Sequence, residues 1–179
     1  MDGINIIGID PGNHIGLSVL NVNPKDLSIN SVFTKTITLE RLLEGKELVD
    51  RLILLRNIVN DIYYSFSPLS IAIETSFLNI KYPKAVIQLS QYVGVIELTF
   101  LEIDPTLKIF KYAPMYVKSV VSGKGIANKD DMAVAVKNNV ELSKLVNVDL
   151  LTEHEVDATC IAYTSLLEFR GNWFYLLSI

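Results

Sequence analysis

The sequence predicts an α/β domain built on a mixed five-stranded sheet, opened by three antiparallel strands, with helices on both faces. Three observations carry this. Ile4–Asp10, Ile15–Val22 and Ile29–Thr38 are short runs rich in β-branched residues, separated by the turn signals Pro11-Gly12 and Asn23-Pro24-Lys25-Asp26. Beyond them, long stretches with helical spacing alternate with two further short apolar runs, Leu69–Glu74 and Leu107–Tyr112. Half of the 179 residues are apolar and no Gly-, Ser- or Pro-rich linker interrupts them, so residues 1–179 are expected to form one domain around one core.

The first strand ends on Asp10, directly before Pro-Gly, so a carboxylate sits at the lip of a hairpin. Alone, that Asp starts an Asx-turn as readily as it serves a reaction. Leu39–Phe66 is expected to be helical, with Leu42, Leu43, Leu48, Leu52, Leu55, Ile58, Val59 and Ile62 on one stripe and charges elsewhere, stopped by Ser67-Pro68. The fourth strand again ends in a carboxylate, Glu74. Pro83–Ile103 reads as a helix apolar nearly all round, hence buried on more than one side or used at a subunit interface. Ala113-Pro114 opens a short helix through Val121, and Ser122–Gly125 is a loop. Another helix begins at Asn128 or Lys129 and runs to about Leu145, and the last spans about Glu153–Phe169. On it Val156, Cys160, Tyr163 and Leu167 form a core stripe, while Ala158 and Ala162 allow close approach to the sheet.

Composition narrows the function. No apolar run reaches the length of a membrane span, and Asp2 stands where a signal peptide would be basic, so a soluble cytoplasmic protein with no membrane partner is expected. The single cysteine, Cys160, excludes an internal disulfide and a multi-cysteine zinc site. The net charge of −4 argues weakly against nucleic acid, but the charge is uneven. Lys108, Lys111, Lys118, Lys124 and Lys129 follow one another with no intervening acid, and Tyr112 and Tyr116 lie among them. Such a window is either a solvated lysine face or a phosphate-binding patch.

His154 and Asp157, three apart near the start of the last helix, share a face. With Asp10 and Glu74 they supply three carboxylates and an imidazole from separate segments. If gathered, these groups need a cation near neutral pH, and oxygen donors favour Mg²⁺ or Mn²⁺. A pair of such ions would clamp a phosphodiester for attack by water. Read separately, the same residues cap turns and complement a helix terminus, and Glu153 and Glu155 are read as helix N-terminal charges.

Taken together, the motifs resemble those of the RuvC family of Holliday-junction resolvases, within the RNase H-like superfamily. The resemblance runs from Ile6 to about Leu167. Ile-Gly-Ile-Asp10-Pro-Gly-Asn-His-Ile-Gly resembles the first family motif, and Ile-Ala-Ile-Glu74-Thr-Ser-Phe77 the second. Lys84-Ala-Val-Ile-Gln-Leu-Ser-Gln-Tyr-Val-Gly94 resembles the helix that helps form the family's dimer. Tyr112–Lys118 and Gly123–Lys129 resemble its basic segment, and His154-Glu-Val-Asp157-Ala its last motif. The net acidity and the short, weakly polar Leu78–Pro83 depart from the family pattern; the divergence suggests a viral, phage or otherwise remote member.

The resemblance implies an RNase H-like fold and a homodimer that resolves four-way DNA junctions by paired nicks, leaving 5′-phosphate and 3′-hydroxyl ends. It implies two Mg²⁺ per site, with Mn²⁺ able to substitute. Asp10 would bridge the metals, Glu74 would hold one, and His154 and Asp157 would hold or orient the other; His154 is read as a ligand or as a base. Lys118 and Lys129 would contact phosphate at the cut. Lys84, Lys111 and Lys124 would contact DNA, and Phe77 would act as a wedge against an unpaired base. Three alternatives stand beside this reading: a relaxed nuclease of forks and flaps, a monomeric nuclease of structured RNA, and a silent junction binder. Ile-Asp-Pro-Gly is also similar to a phosphate loop of actin-like ATPases, but 179 residues allow only one of the two domains those enzymes need.

Overall fold

The computed structural model describes residues 3–39, 47–75 and 83–176, with side chains described as far as Gly171. Five strands form one sheet: β1 (Ile4–Asp10), β2 (His14–Val22), β3 (Ile29–Thr38), β4 (Ser70–Glu74) and β5 (Lys108–Tyr112). Their order is β3-β2-β1-β4-β5. The first three are antiparallel; β4 runs parallel to β1, and β5 parallel to β4. The mixed sheet opened by three antiparallel strands is therefore as expected. Because β1, β4 and β5 are parallel, Asp10, Glu74 and Tyr112 end at one edge of the sheet.

Side chains alternate along each strand, and the alternation divides the core in two. Ile7, Ile9, Leu17, Val19, Ile71 and Ile73 face α1 (Leu48–Phe66) and α2 (Pro83–Ile103), where Leu55, Val59, Tyr92, Ile96 and Phe100 meet them. Ile6, Leu20, Val22 and Ala72 face the opposite layer of α3 (Pro114–Ser122), α4 (Lys129–Asn138) and α5 (Glu153–Leu176). Asp10 shares parity with Ile6, and Glu74 with Ala72, so both carboxylates lie on the α5 side. Cys160 is a buried packing thiol in that layer, its pKa raised by burial.

Several boundaries differ from expectation. Of the helix expected over residues 39–66, Leu48–Phe66 is observed, and residues 40–46 lie outside the described residues. It ends on Ser67, whose φ of 43° is left-handed and whose N–H donates to the Tyr63 carbonyl at 2.7 Å, just before Pro68. α4 stops at Asn138 rather than near Leu145, because the Asn139 side-chain oxygen accepts from the N–H groups of Glu141 and Leu142, each at 3.0 Å. α5 runs on to Leu176, past the expected Phe169. Its stretch from Ala158 to Leu166 is buried without a break, so it is a central helix and not a one-stripe surface helix.

α2 also differs from expectation: it is buried on one side only. Tyr92, Ile96, Thr99 and Phe100 are buried, while Ile87 and Leu98 are each 60% exposed and Leu101 is 40% exposed. By length and composition alone α2 could cross a bilayer; here one side of it packs along α1.

Candidate active site

The site forms where β1 and β4 end and α5 begins. Two glycines make this possible. A Cβ on Gly8 would collide with the Ala158 carbonyl and stand 2.5 Å from the Ala162 nitrogen. A Cβ on Gly16, which pairs with Asp10 across the β1–β2 ladder, would collide with the His154 carbonyl. With only hydrogens there, and with Ala158 and Ala162 on the helix, α5 lies flush on the sheet. Its first turn thereby brings His154 to Asp10, at 2.8 Å between Nδ1 and Oδ2.

The carboxylates sit in an environment that disfavours their charge. Burial raises the Asp10 pKa to about 6; the His154 hydrogen bond opposes this, and the neighbouring Asp157 charge adds to it. Burial raises Glu74 to about 7, reinforced by Asp10 and then Asp157 and opposed by Lys118. Burial also raises Asp157, against the pull of Lys129, His154 and Lys118. These couplings bring together Asp10, Glu74, His154, Asp157, Lys118 and Lys129, from β1, β4, α5, α3 and α4. Among the described residues, no three of the donors already form a closed ligand set. The donor set nevertheless fits a hard divalent cation: three desolvated carboxylates that repel one another would be relieved by positive charge between them.

The remaining expected DNA contacts are dispersed. Lys124 is exposed on the loop after α3. Lys111 points toward the α2 layer, with Nζ 2.9 Å from a carboxylate oxygen of Glu97. Lys84 is exposed at the start of α2. Phe77 lies outside the described residues.

Sequence reading missed three neighbours of the site. The His14 ring stacks on His154, with centroids 5.5 Å apart and an interplanar angle of 27°, while its Nδ1 lies 3.1 Å from Thr38 Oγ1. Nothing in the sequence marks that pairing. Glu153 carries an ion pair to Lys129 at 2.5 Å, and its other oxygen is 3.7 Å from His154 Nε2, so it is more than a helix-terminal charge. The Asn13 side-chain oxygen accepts from Tyr92 Oη at 3.0 Å and from Gln88 Nε2 at 3.3 Å, which ties α2 to the loop after Asp10. The roles of Gly8 and Gly16 were not read either, although a glycine inside a strand often marks a close backbone approach.

A β3-β2-β1-β4-β5 sheet with helices on both faces is the RNase H-like fold. The chain belongs to the RuvC family, whose profile, described as crossover junction endodeoxyribonuclease RuvC, matches residues 6–165. Chlorobium phaeobacteroides crossover junction endodeoxyribonuclease RuvC is 31% identical over 169 residues, which span 93% of this chain and 83% of that protein. The fold is similar to that of Thermus thermophilus RuvC, with a TM-score of 0.75 at 24% identity over 94% of this chain and 97% of that one. T. thermophilus RuvC in complex with Holliday junction substrate gives a TM-score of 0.74 at 22% identity, covering 94% and 96%.

Proposed function

We propose that this protein is a metal-dependent endonuclease that resolves four-way DNA junctions by paired, symmetric nicks, leaving 5′-phosphate and 3′-hydroxyl ends. The observation that carries the reading is the half-buried Asp10–Glu74–Asp157 cluster, with His154 bonded to Asp10 at 2.8 Å and two lysines facing it. Asp10, Glu74 and Asp157 would hold divalent cations, two Mg²⁺ or Mn²⁺ per site, with His154 beside them. Such ions would neutralise the carboxylates, polarise the phosphodiester and make water more acidic.

The chain's own residues supply the rest. Because Nδ1 of His154 is committed to Asp10, Nε2, which faces Glu153 at 3.7 Å, is the nitrogen left to take a proton from the attacking water, so a base or orienting role suits this imidazole better than that of a cation ligand. Lys118 stands against Glu74 and Asp157, and Lys129 against Asp157 and Asp10. Both would stabilise charge that develops on the phosphate oxygens and leaving group. Lys129 must first exchange Glu153 for phosphate. Lys84, Lys111 and Lys124 would bind the DNA backbone, and the family resemblance gives Phe77 the role of wedge at the branch point.

Two symmetric nicks need two sites related by a two-fold axis. A homodimer paired through α2 is supported by the stripe Ile87, Gln91, Gly94, Leu98 and Leu101, which is exposed along the helix. Gly94 has open space at its Cβ position, so two such helices could approach closely. The DNA would be met in the cytoplasm of a bacterium or of an infected cell.

The test is cleavage of a labelled four-way junction beside linear duplex and Y-shaped DNA, with Mg²⁺, Mn²⁺ or EDTA, for wild type and Asp10→Asn. Paired metal-dependent nicks in the junction, lost in Asp10→Asn while binding survives, are expected. Equal cutting of Y-shaped DNA would replace this reading with a relaxed branch nuclease. Binding without cutting under any metal would leave a silent junction binder.

A further inference from the structure

Both α1 and α2 begin at the sheet edge where the carboxylates lie, because each follows a strand that ends there. They occupy the face of the sheet opposite α5. Between their first turns is an open groove of about 450 Å³, lined by Leu48, Arg51, Lys84, Ile87, Gln88 and Gln91. Its lining is cationic and polar apart from Leu48 and Ile87. Among the described residues neither Arg51 nor Lys84 makes an ion pair. Arg51 Nε is buried, and among the described residues no hydrogen-bond partner reaches it. A buried guanidinium N–H without an acceptor is costly, and an anion in the groove would supply one. Among the described residues no carboxylate lines the groove.

The groove is also wired to the catalytic edge. Gln88, in its wall, donates to Tyr92 Oη at 2.6 Å and to the Asn13 side chain at 3.3 Å, and Asn13 lies three residues after Asp10. Its other wall, Ile87 and Gln91, belongs to the exposed stripe of α2. The groove thus lies between the reacting centre and the face on which a second copy would pair.

We propose that this groove is a second phosphate subsite, in which Arg51 and Lys84 together hold one backbone phosphate of the DNA strand that continues past the cut toward the two-fold axis; the proposal rests on the junction-nuclease reading. Arg51 presents a planar fork suited to two phosphate oxygens, and Lys84 adds a mobile point charge. A phosphate held there fixes the approach of the strand through Gln88 and Asn13 to the loop that carries Asp10. Arg51 is a DNA-positioning residue on this account, supplied by a helix that carries none of the catalytic groups.

The experiment measures binding of a labelled four-way junction against salt, in an Asp10→Asn background that does not cut, for Arg51→Gln, Lys84→Gln and the double variant. Each single change is expected to weaken binding about tenfold. The double variant should be far from additive, because both residues hold the same phosphate, and the slope of log affinity against log salt should fall by about 0.9. Lys84→Arg should restore binding, and Lys144→Gln, remote from the groove, should leave it unchanged. With Asp10 intact, the Arg51 and Lys84 variants should raise KM with little change in kcat. Variants that fold and dimerise normally yet keep wild-type affinity and slope overturn the subsite, while leaving the nuclease reading intact if the wild type nicks the junction. A wild type that neither binds nor nicks branched DNA overturns both.

Discussion

Replacing Asp10 with Asn should abolish cutting and, without metal, make the protein more stable. Burial holds the Asp10 pKa at about 6 against an ordinary 3.8. The folded state therefore binds this proton more tightly than the unfolded chain does. The sign follows: the protonated group's contribution is fully present below about pH 3.8 and is lost as pH rises to about 6. The difference of about two pH units corresponds to about 3 kcal/mol, all of it against the folded state at pH 8. Asn carries no charge to bury, and its arrival also removes one of the repulsions acting on Glu74. For a domain of this size about 3 kcal/mol is roughly 6–12 °C in melting temperature. The assay is thermal unfolding of both proteins in EDTA at pH 4 and pH 8, repeated with saturating Mg²⁺. Asp10→Asn should melt higher at pH 8, the gap should close at pH 4, and Mg²⁺ should raise the wild type more than the variant. A variant that melts at or below the wild type in EDTA at pH 8, or a gap that is the same at both pH values, would refute the reasoning.

Three other outcomes follow from the same geometry. Gly8→Val forces side-chain carbons into Ala158 and Ala162; a loss of at least 1–3 kcal/mol by denaturant unfolding, with activity falling further as His154 and Asp157 lift away from Asp10, is expected. Glu153→Gln releases Lys129 from an exposed ion pair, so junction affinity in a filter-binding assay should rise, by less than about fivefold, and depend more steeply on salt. Leu98→Glu puts a charge on the exposed stripe of α2; sedimentation should show monomers, and paired nicking should give way to uncoordinated single nicks.

Much of this was legible in residue order because local chemistry fixed it. The β-branched runs, the turn signals between them and the two strand-ending carboxylates specify β1 to β4 and the edge on which Asp10 and Glu74 meet. Boundaries failed where a side chain intervened: Asn139, by capturing two backbone amides, ended α4 early. The burial of α2 was overestimated because periodicity reports which residues are apolar and not which of them the monomer covers. His14, Asn13 and Glu153 escaped for a different reason. Their roles depend on contacts across 24 to 140 residues of chain, and no local pattern carries such information. The meeting of His154 with Asp10, 144 residues apart, was inferred by likeness to a family, and its geometry came only from the fold.

The flush seating of α5 on Gly8 and Gly16 has a consequence for the order of events in the cell. Asp10 leaves the ribosome well before His154, which lies 144 residues further along the chain, and before Asp157. The proposed site cannot assemble until α5 has emerged and settled onto strands made far earlier. Long-range closures of this kind come late in folding. A chain still being synthesised, or one whose final helix has come loose, would hold Asp10 and Glu74 without the groups that complete them. On the roles proposed for these residues, cutting thus waits until the chain through Asp157 has folded.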